Sequence, residues 1–196
     1  MSEKSDIFVP GSYYHVYNRA VTGSKLFLED KNHLFFLQKY DKYLSDFLDT
    51  YCYCLLPNHF HLLVRIKENN LNKNQNDYDQ RISQQFRKFF ISYAMSFNNL
   101  YDRKGTLFQR PFKRKWIDSK EYLVYLVYYI HSNPERHRIT EDFKTYKLSS
   151  YKKIQGTYPS KLKRKELLEW FGGLKEYVRF HEEIQNIDRI KHLMID

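Results

Sequence analysis

The stretch YCYCLLPNHFHLLVRI, residues 51–66, limits the fold more than any other segment of the chain. It is almost wholly apolar or aromatic, and it breaks at Pro57-Asn58, a dipeptide suited to a turn. It therefore reads as two strands, the second over 59–66. Upstream, YYHVYNRAV after Pro10-Gly11 reads as a first strand over 13–20, and Thr22-Gly23-Ser24 as a turn. Between them, LFLEDKNHLFFLQKYDKYL spaces Leu34, Leu37, Tyr40 and Leu44 as a helix does, with Glu29 and Asp30 near its start.

Beyond the strand pair, the polar, Asn-rich ENNLNKNQND reads as a mobile connection. A second helix is expected over 79–100, its buried stripe being Ile82, Phe86, Phe89, Tyr93 and Phe97. The basic, aromatic DRKGTLFQRPFKRKW follows, with a short strand near 113–117. Asp118-Ser119-Lys120-Glu121 resembles a capping box with Asp118 as the N-cap, and the helix it opens should end at Asn133, because Pro134 follows. The order β-α-β-β-α-β plus a helix predicts an α+β, ferredoxin-like sandwich. We expect one core domain over 1–140 and a helical extension over 141–196, in which LKRKELLEWFGGLKEYVRFHEEI forms two short helices around Gly172-Gly173.

The chain carries a formal net charge of +10 over 196 residues. Such a balance favours a polyanionic partner, since each cation near a phosphate releases counterions. With 42% hydrophobic and 29% charged residues, a soluble globular fold is expected rather than disorder. No apolar run is long enough to span a bilayer, so no membrane partner is expected. The opening MSEKSDIF shows no apolar secretion segment. Cys52 and Cys54, one residue apart on a strand, share a face and are poorly placed to bridge. These features together point to the cytoplasm.

Two sites stand out. In His59-Phe60-His61 the imidazoles project from one face of a strand while Phe60 enters the opposite core. Such a pair can grip a divalent cation. It can equally be two surface histidines, and arithmetic alone allows a Cys2His2 site with Cys52 and Cys54. On the third helix, Tyr122, Tyr125, Tyr129 and Asn133 fall within a sector of about 80°. Leu123, Leu126, Val127 and Ile130 form the adjoining apolar stripe, and Tyr128 points away from both. Tyr129 and Asn133, one turn apart, can address one small volume, where an amide oxygen suits Mg2+ or Mn2+. The alternative is a row of tyrosines at a helix–sheet boundary, rings buried and hydroxyls wet.

Taken together, LLPNHFHLLV and YYIHSNP resemble the two motifs of HUH-type single-tyrosine transposases, the transposase IS200-like family. The Tyr129-to-Pro134 pattern is most similar to REP-associated tyrosine transposases. SYAMSFNNLYDRKGTLFQRPFKRK resembles the family's stretch before the tyrosine helix, and KLSSYKKI with ELLEWFGG resembles the extension of longer members. The core likeness covers about 13–139.

The resemblance implies metal-dependent cleavage of single-stranded DNA near a hairpin. His59 and His61 would be metal ligands, Asn133 the third, and Tyr129 the nucleophile that forms a 5′-phosphotyrosine. Compact members commonly carry glutamine one turn after the tyrosine, where this chain has Asn133. The resemblance leaves homodimer and monomer both open.

Arg19 and the basic set Arg103, Lys104, Arg110, Lys113, Arg114 and Lys115, with Phe108, Phe112 and Trp116, are candidates to track phosphates and stack bases. Two rival readings carry other signatures. A non-catalytic hairpin-binding protein would keep the basic loop without an adduct. A metal-independent ribonuclease would use His59 or His61 as general acid or base.

Overall fold

The protein is described here by a computed structural model that covers residues 6–68 and 75–183. Most of the Asn-rich connection, 69–74, and the last thirteen residues of the extension lie outside the described residues. The chain is α+β. Strands β1 (Tyr13–Arg19), β2 (Leu48–Leu56), β3 (His59–Ile66) and β4 (Lys113–Ile117) form one antiparallel sheet in the order β2-β3-β1-β4. Helix α1 (Asp30–Leu44) joins β1 to β2, α2 (Gln75–Leu100) joins β3 to β4, and α3 (Lys120–Arg136) follows. The extension contributes α4 (Tyr151–Gln155), α5 (Arg164–Phe171) and α6 (Leu174–Glu182). No helix among the described residues is long and apolar enough to cross a membrane.

Two apolar clusters sandwich the sheet. Alternation sends Phe60, Leu62, Val64 and Ile66 of β3 into the first, where the expected α2 stripe meets them, every member fully or nearly fully buried. The α1 stripe departs from the expectation only at its start. Leu34 is 65% exposed and His33 and Phe36 face inward there, whereas Tyr40 and Leu44 are buried and Leu37 packs against the core as expected. At the head of α1, Asn32 Oδ1 accepts from the Glu29 amide at 3.0 Å, and one turn on Phe36 meets Phe60 at 5.1 Å.

The second cluster lies on the opposite face, under α3 and the extension. Phe143, Tyr151, Ile154, Leu167 and Tyr177 join Leu56, Leu63, Leu126 and Ile130 there. The extension also covers the β2 edge. Ser150 N donates to Tyr53 O at 2.9 Å, Leu55 N to Leu148 O at 3.0 Å, and Lys163 N to Thr50 O at 2.9 Å. Gly172, at φ 87°, closes α5 in the left-handed region that glycine enters without strain, and Gly173 opens α6. The paired glycines therefore separate a pair of helices, as the sequence predicts.

Helix α3 departs from expectation at both ends. Its N-cap is Ser119, whose Oγ accepts from Tyr122 N at 3.2 Å, one residue beyond Asp118. Pro134 lies inside the helix, which runs on to Arg136. A proline in the last turn removes only one backbone donor, and the His137 amide caps Asn133 O at 2.9 Å. Tyr128 packs on the extension, its ring 5.9 Å from Phe143 and 5.7 Å from His181.

Candidate active site

Strand β3 leaves the turn at Pro57-Asn58 with His59 and His61 on the face that α3 covers. Both are buried. Their rings stand 5.1 Å apart and nearly perpendicular. Asn58 Oδ1 lies 2.7 Å from His59 Nδ1, and His15 Nε2 lies 2.9 Å from His61 Nδ1. Each contact occupies Nδ1 and so directs Nε2 toward the helix side. Burial, followed by the neighbouring His15, His59, His137 and Arg19, holds His61 well below the ordinary histidine value. It is therefore neutral, the form a metal ligand requires.

Helix α3 delivers Tyr129 to the same volume. Its ring centroid is 5.6 Å from His61 and 6.0 Å from His15, edge-on to both. The Arg136 guanidinium carbon sits 5.4 Å from the centre of that ring. Tyr129 is fully buried. One turn on, Asn133 Nδ2 donates to Tyr129 O at 2.7 Å, which fixes the carboxamide and leaves Oδ1 as the acceptor. His137, just past α3, brings its ring to 4.7 Å from His59.

His61 Nε2 and Asn133 Oδ1 are buried without a hydrogen-bond partner. Leaving such atoms dry costs about 1–3 kcal/mol each, a cost that a bound cation would offset. Among the described residues, no three His, Cys, Asp or Glu side chains form a group able to hold a metal. A cation here would need a ligand of another type, and the unpartnered Asn133 Oδ1 is an oxygen of the kind that Mg2+ and Mn2+ accept. Cys52 and Cys54 are buried free thiols, and burial pushes both well above the usual thiol range.

The basic candidates divide by face. In register, Lys113 lies opposite Tyr17, Lys115 opposite His15, and Arg19 opposite His59, so all three share the imidazole face of the sheet. Lys104 and Arg110 are exposed on the loop before β4. Arg103 staples that loop, donating to Asn98 Oδ1, Ser24 Oγ and Thr106 O.

Arg114 falls on the other face. It pairs with Asp79 at 2.9 Å, donates to Ser83 Oγ at 2.7 Å and lies 4.1 Å from the centre of the Phe8 ring. Its charge is spent inside the protein, because alternation along β4 turns it to α2. Phe108 is likewise a core ring at 5% exposure, whereas Trp116 is 51% exposed.

Sequence reasoning did not bring His15, Tyr17, Arg136 or His137 to the imidazole pair. The same-face rule puts Tyr17 beside His15 on β1, and their position next to His61 follows from the β1–β3 register. His137 lies beyond the point where Pro134 was expected to stop the helix.

No protein-family model and no curated protein sequence matches the chain. Among solved structures, it is similar to a REP-associated tyrosine transposase bound to a REP hairpin, with a TM-score of 0.59. The match covers 81% of this chain and 89% of that one at 18% identity, a likeness of fold.

Proposed function

We propose that the chain is a hairpin-directed single-stranded DNA nicking and strand-transfer enzyme of the HUH single-tyrosine type, on a ferredoxin-like sheet. The observation that carries this reading is the approach of the Tyr129 ring to 5.6 Å from His61. Those residues lie on different elements, and their motifs are the two that the family resemblance rests on. The transposase neighbour adds hairpin DNA as the partner class.

In this mechanism the basic row of Arg19, Lys113 and Lys115 holds the strand by its phosphates. The Tyr129 oxygen attacks phosphorus as the phenol gives up its proton, the P–O3′ bond breaks, and the departing strand takes up a proton as a free 3′-OH. The protein retains a 5′-phosphotyrosine that a second 3′-OH can reverse. Arg136, over the Tyr129 ring, stabilises negative charge gathering on the phenol oxygen. His59, His61 and Asn133 are the residues that would hold Mg2+ or Mn2+, which supplies Lewis-acid stabilisation of a non-bridging phosphate oxygen. His15 and Asn58 keep the two imidazoles turned to that role.

The full burial of Tyr129 favours a second reading, a protein that binds hairpin DNA without cutting it. One assay separates the two. Hairpin-flanked single strands are incubated with the protein and Mn2+, and a denaturation-resistant protein–DNA adduct is sought. The wild type should form one that EDTA suppresses, and Tyr129→Phe should bind DNA but form none. An adduct that survives in Tyr129→Phe removes the nucleophile assignment, and DNA binding with no adduct in the wild type selects the second reading.

A further inference from the structure

A groove of about 740 Å3 opens between α2 and the loop that leads into β4, on the side of the sheet away from the imidazoles. One wall is a single face of α2, where Ser83, Arg87, Ile91, Met95 and Asn98 recur at helical spacing. Ile91 and Met95 on that wall are 41% and 63% exposed, large apolar side chains in the middle of a polar helix face. The floor is aromatic and already assembled, with Phe90 4.9 Å from Phe108 and 5.5 Å from Phe112. Among the described residues, the lining holds two arginines, Arg87 and Arg110, both exposed, and no carboxylate.

Apolar walls with an aromatic floor fit a flat ring, and two guanidiniums at the mouth fit an anion attached to it. Carboxamides suited to the edge of a base also line the groove. Asn18 is almost fully buried there, and its Oδ1 already accepts from the Arg19 amide, which leaves Nδ2 as the donor it can offer. The volume lies within the range of about 300–1,000 Å3 typical of small-ligand clefts.

The groove also adjoins the candidate active site. Gln109 N donates to Arg19 O at 2.8 Å, and Arg19 lies opposite His59 in the β1–β3 register. Groove and imidazole pair thus lie on the two sides of one strand end.

We propose that this groove takes one unpaired nucleotide of the bound DNA, its base against Phe90 and Phe112 and its phosphate on Arg87 and Arg110. The inference rests on the DNA-acting reading above and adds to it a site that fixes where the strand lies. The two arginines, with no carboxylate among the described lining residues, and the chain's net positive charge favour a nucleotide over a basic peptide or a second copy of this chain.

The test is fluorescence anisotropy on the full-length chain carrying Tyr129→Phe, in EDTA, so that binding is read without cutting. The probe is a labelled hairpin with a mixed-sequence unpaired flank, in which a single abasic nucleotide is moved along the flank. One abasic position should weaken binding about fivefold or more, the scale of losing one stacked base. Ala94→Trp, which fills the groove, and the double variant Arg87→Ala/Arg110→Ala should each weaken the intact probe similarly. Both should also erase that positional effect, with melting temperatures unchanged.

Binding within twofold of the parent in both folded variants overturns the proposal, as does an abasic penalty that is equal at every position. Loss of self-association with DNA binding intact also overturns it and marks the groove as an interface between copies. Should the groove variants behave as expected while the wild type forms no adduct, the cutting reading fails and the groove stands. An adduct with unaffected groove variants gives the reverse.

Discussion

His15 Nε2 and His61 Nδ1 lie 2.9 Å apart between neighbouring strands, both rings buried and nearly stacked at 23°. This contact makes His15 the residue that orients His61. Losing such an orienting partner typically costs 10–100-fold in metal affinity. His15→Ala should therefore weaken Mn2+ binding by about that factor in calorimetry, and His15→Gln should recover some of it. An unchanged Mn2+ titration in a folded His15→Ala protein removes the orienting role.

Arg114 and its neighbours on β4 should separate cleanly. Arg114→Ala leaves Asp79 without its cation in a half-buried setting and should destabilise the fold by about 2–3 kcal/mol in urea denaturation. It should leave the salt dependence of DNA binding untouched. Lys113→Ala and Lys115→Ala should do the opposite, each lowering the slope of log affinity against log salt by about 1 with little change in stability. A lowered slope for Arg114→Ala would place it on the DNA.

The buried His131–His181 pair, 3.1 Å apart between α3 and α6, gives the fold an acid limit. Burial pulls His181 from 6.5 down to about 4. In the unfolded chain it takes up a proton below about pH 6.5, whereas in the native state it stays neutral until about pH 4. The unfolded state therefore binds more protons in that window. Stability contributed by His181 is complete above about pH 6.5 and is lost as pH falls through about 4, on the order of 3 kcal/mol in all. Denaturation midpoints between pH 7 and 4 check this, and a His181→Leu variant should show a shallower fall. An equal fall in both excludes His181 as a source.

A chain ending at residue 140 should not fold stably. It loses Phe143, Tyr151, Ile154, Leu167 and Tyr177 from the second cluster and uncovers the β2 edge. Limited proteolysis and circular dichroism of the shortened chain decide it. A cooperative melt close to that of the full chain would show that the sheet and α3 stand alone.

Much of the fold is legible in local sequence because its signals are local. Period-two alternation places His59 and His61 together and Phe60 opposite, and the α2 stripe from Ile82 to Phe97 is buried as read. The same periodicity, applied to α1, picks the wrong neighbour in Leu34. Several residues one turn apart satisfy the pattern, and packing on the sheet, where Phe36 meets Phe60 at 5.1 Å, selects among them.

By itself, then, the sequence determined which side chains share a face and which two motifs are candidates to carry chemistry, since both depend on spacing within one element. Tertiary structure decided that Tyr129 reaches His61, that His15 backs His61, that His137 adjoins His59, and that Arg114 turns inward while Lys113 and Lys115 do not. Those relations join residues tens of positions apart or hang on strand register and helix termination. Strand pairing and the packing of whole layers settle them, and no short window of residues encodes either.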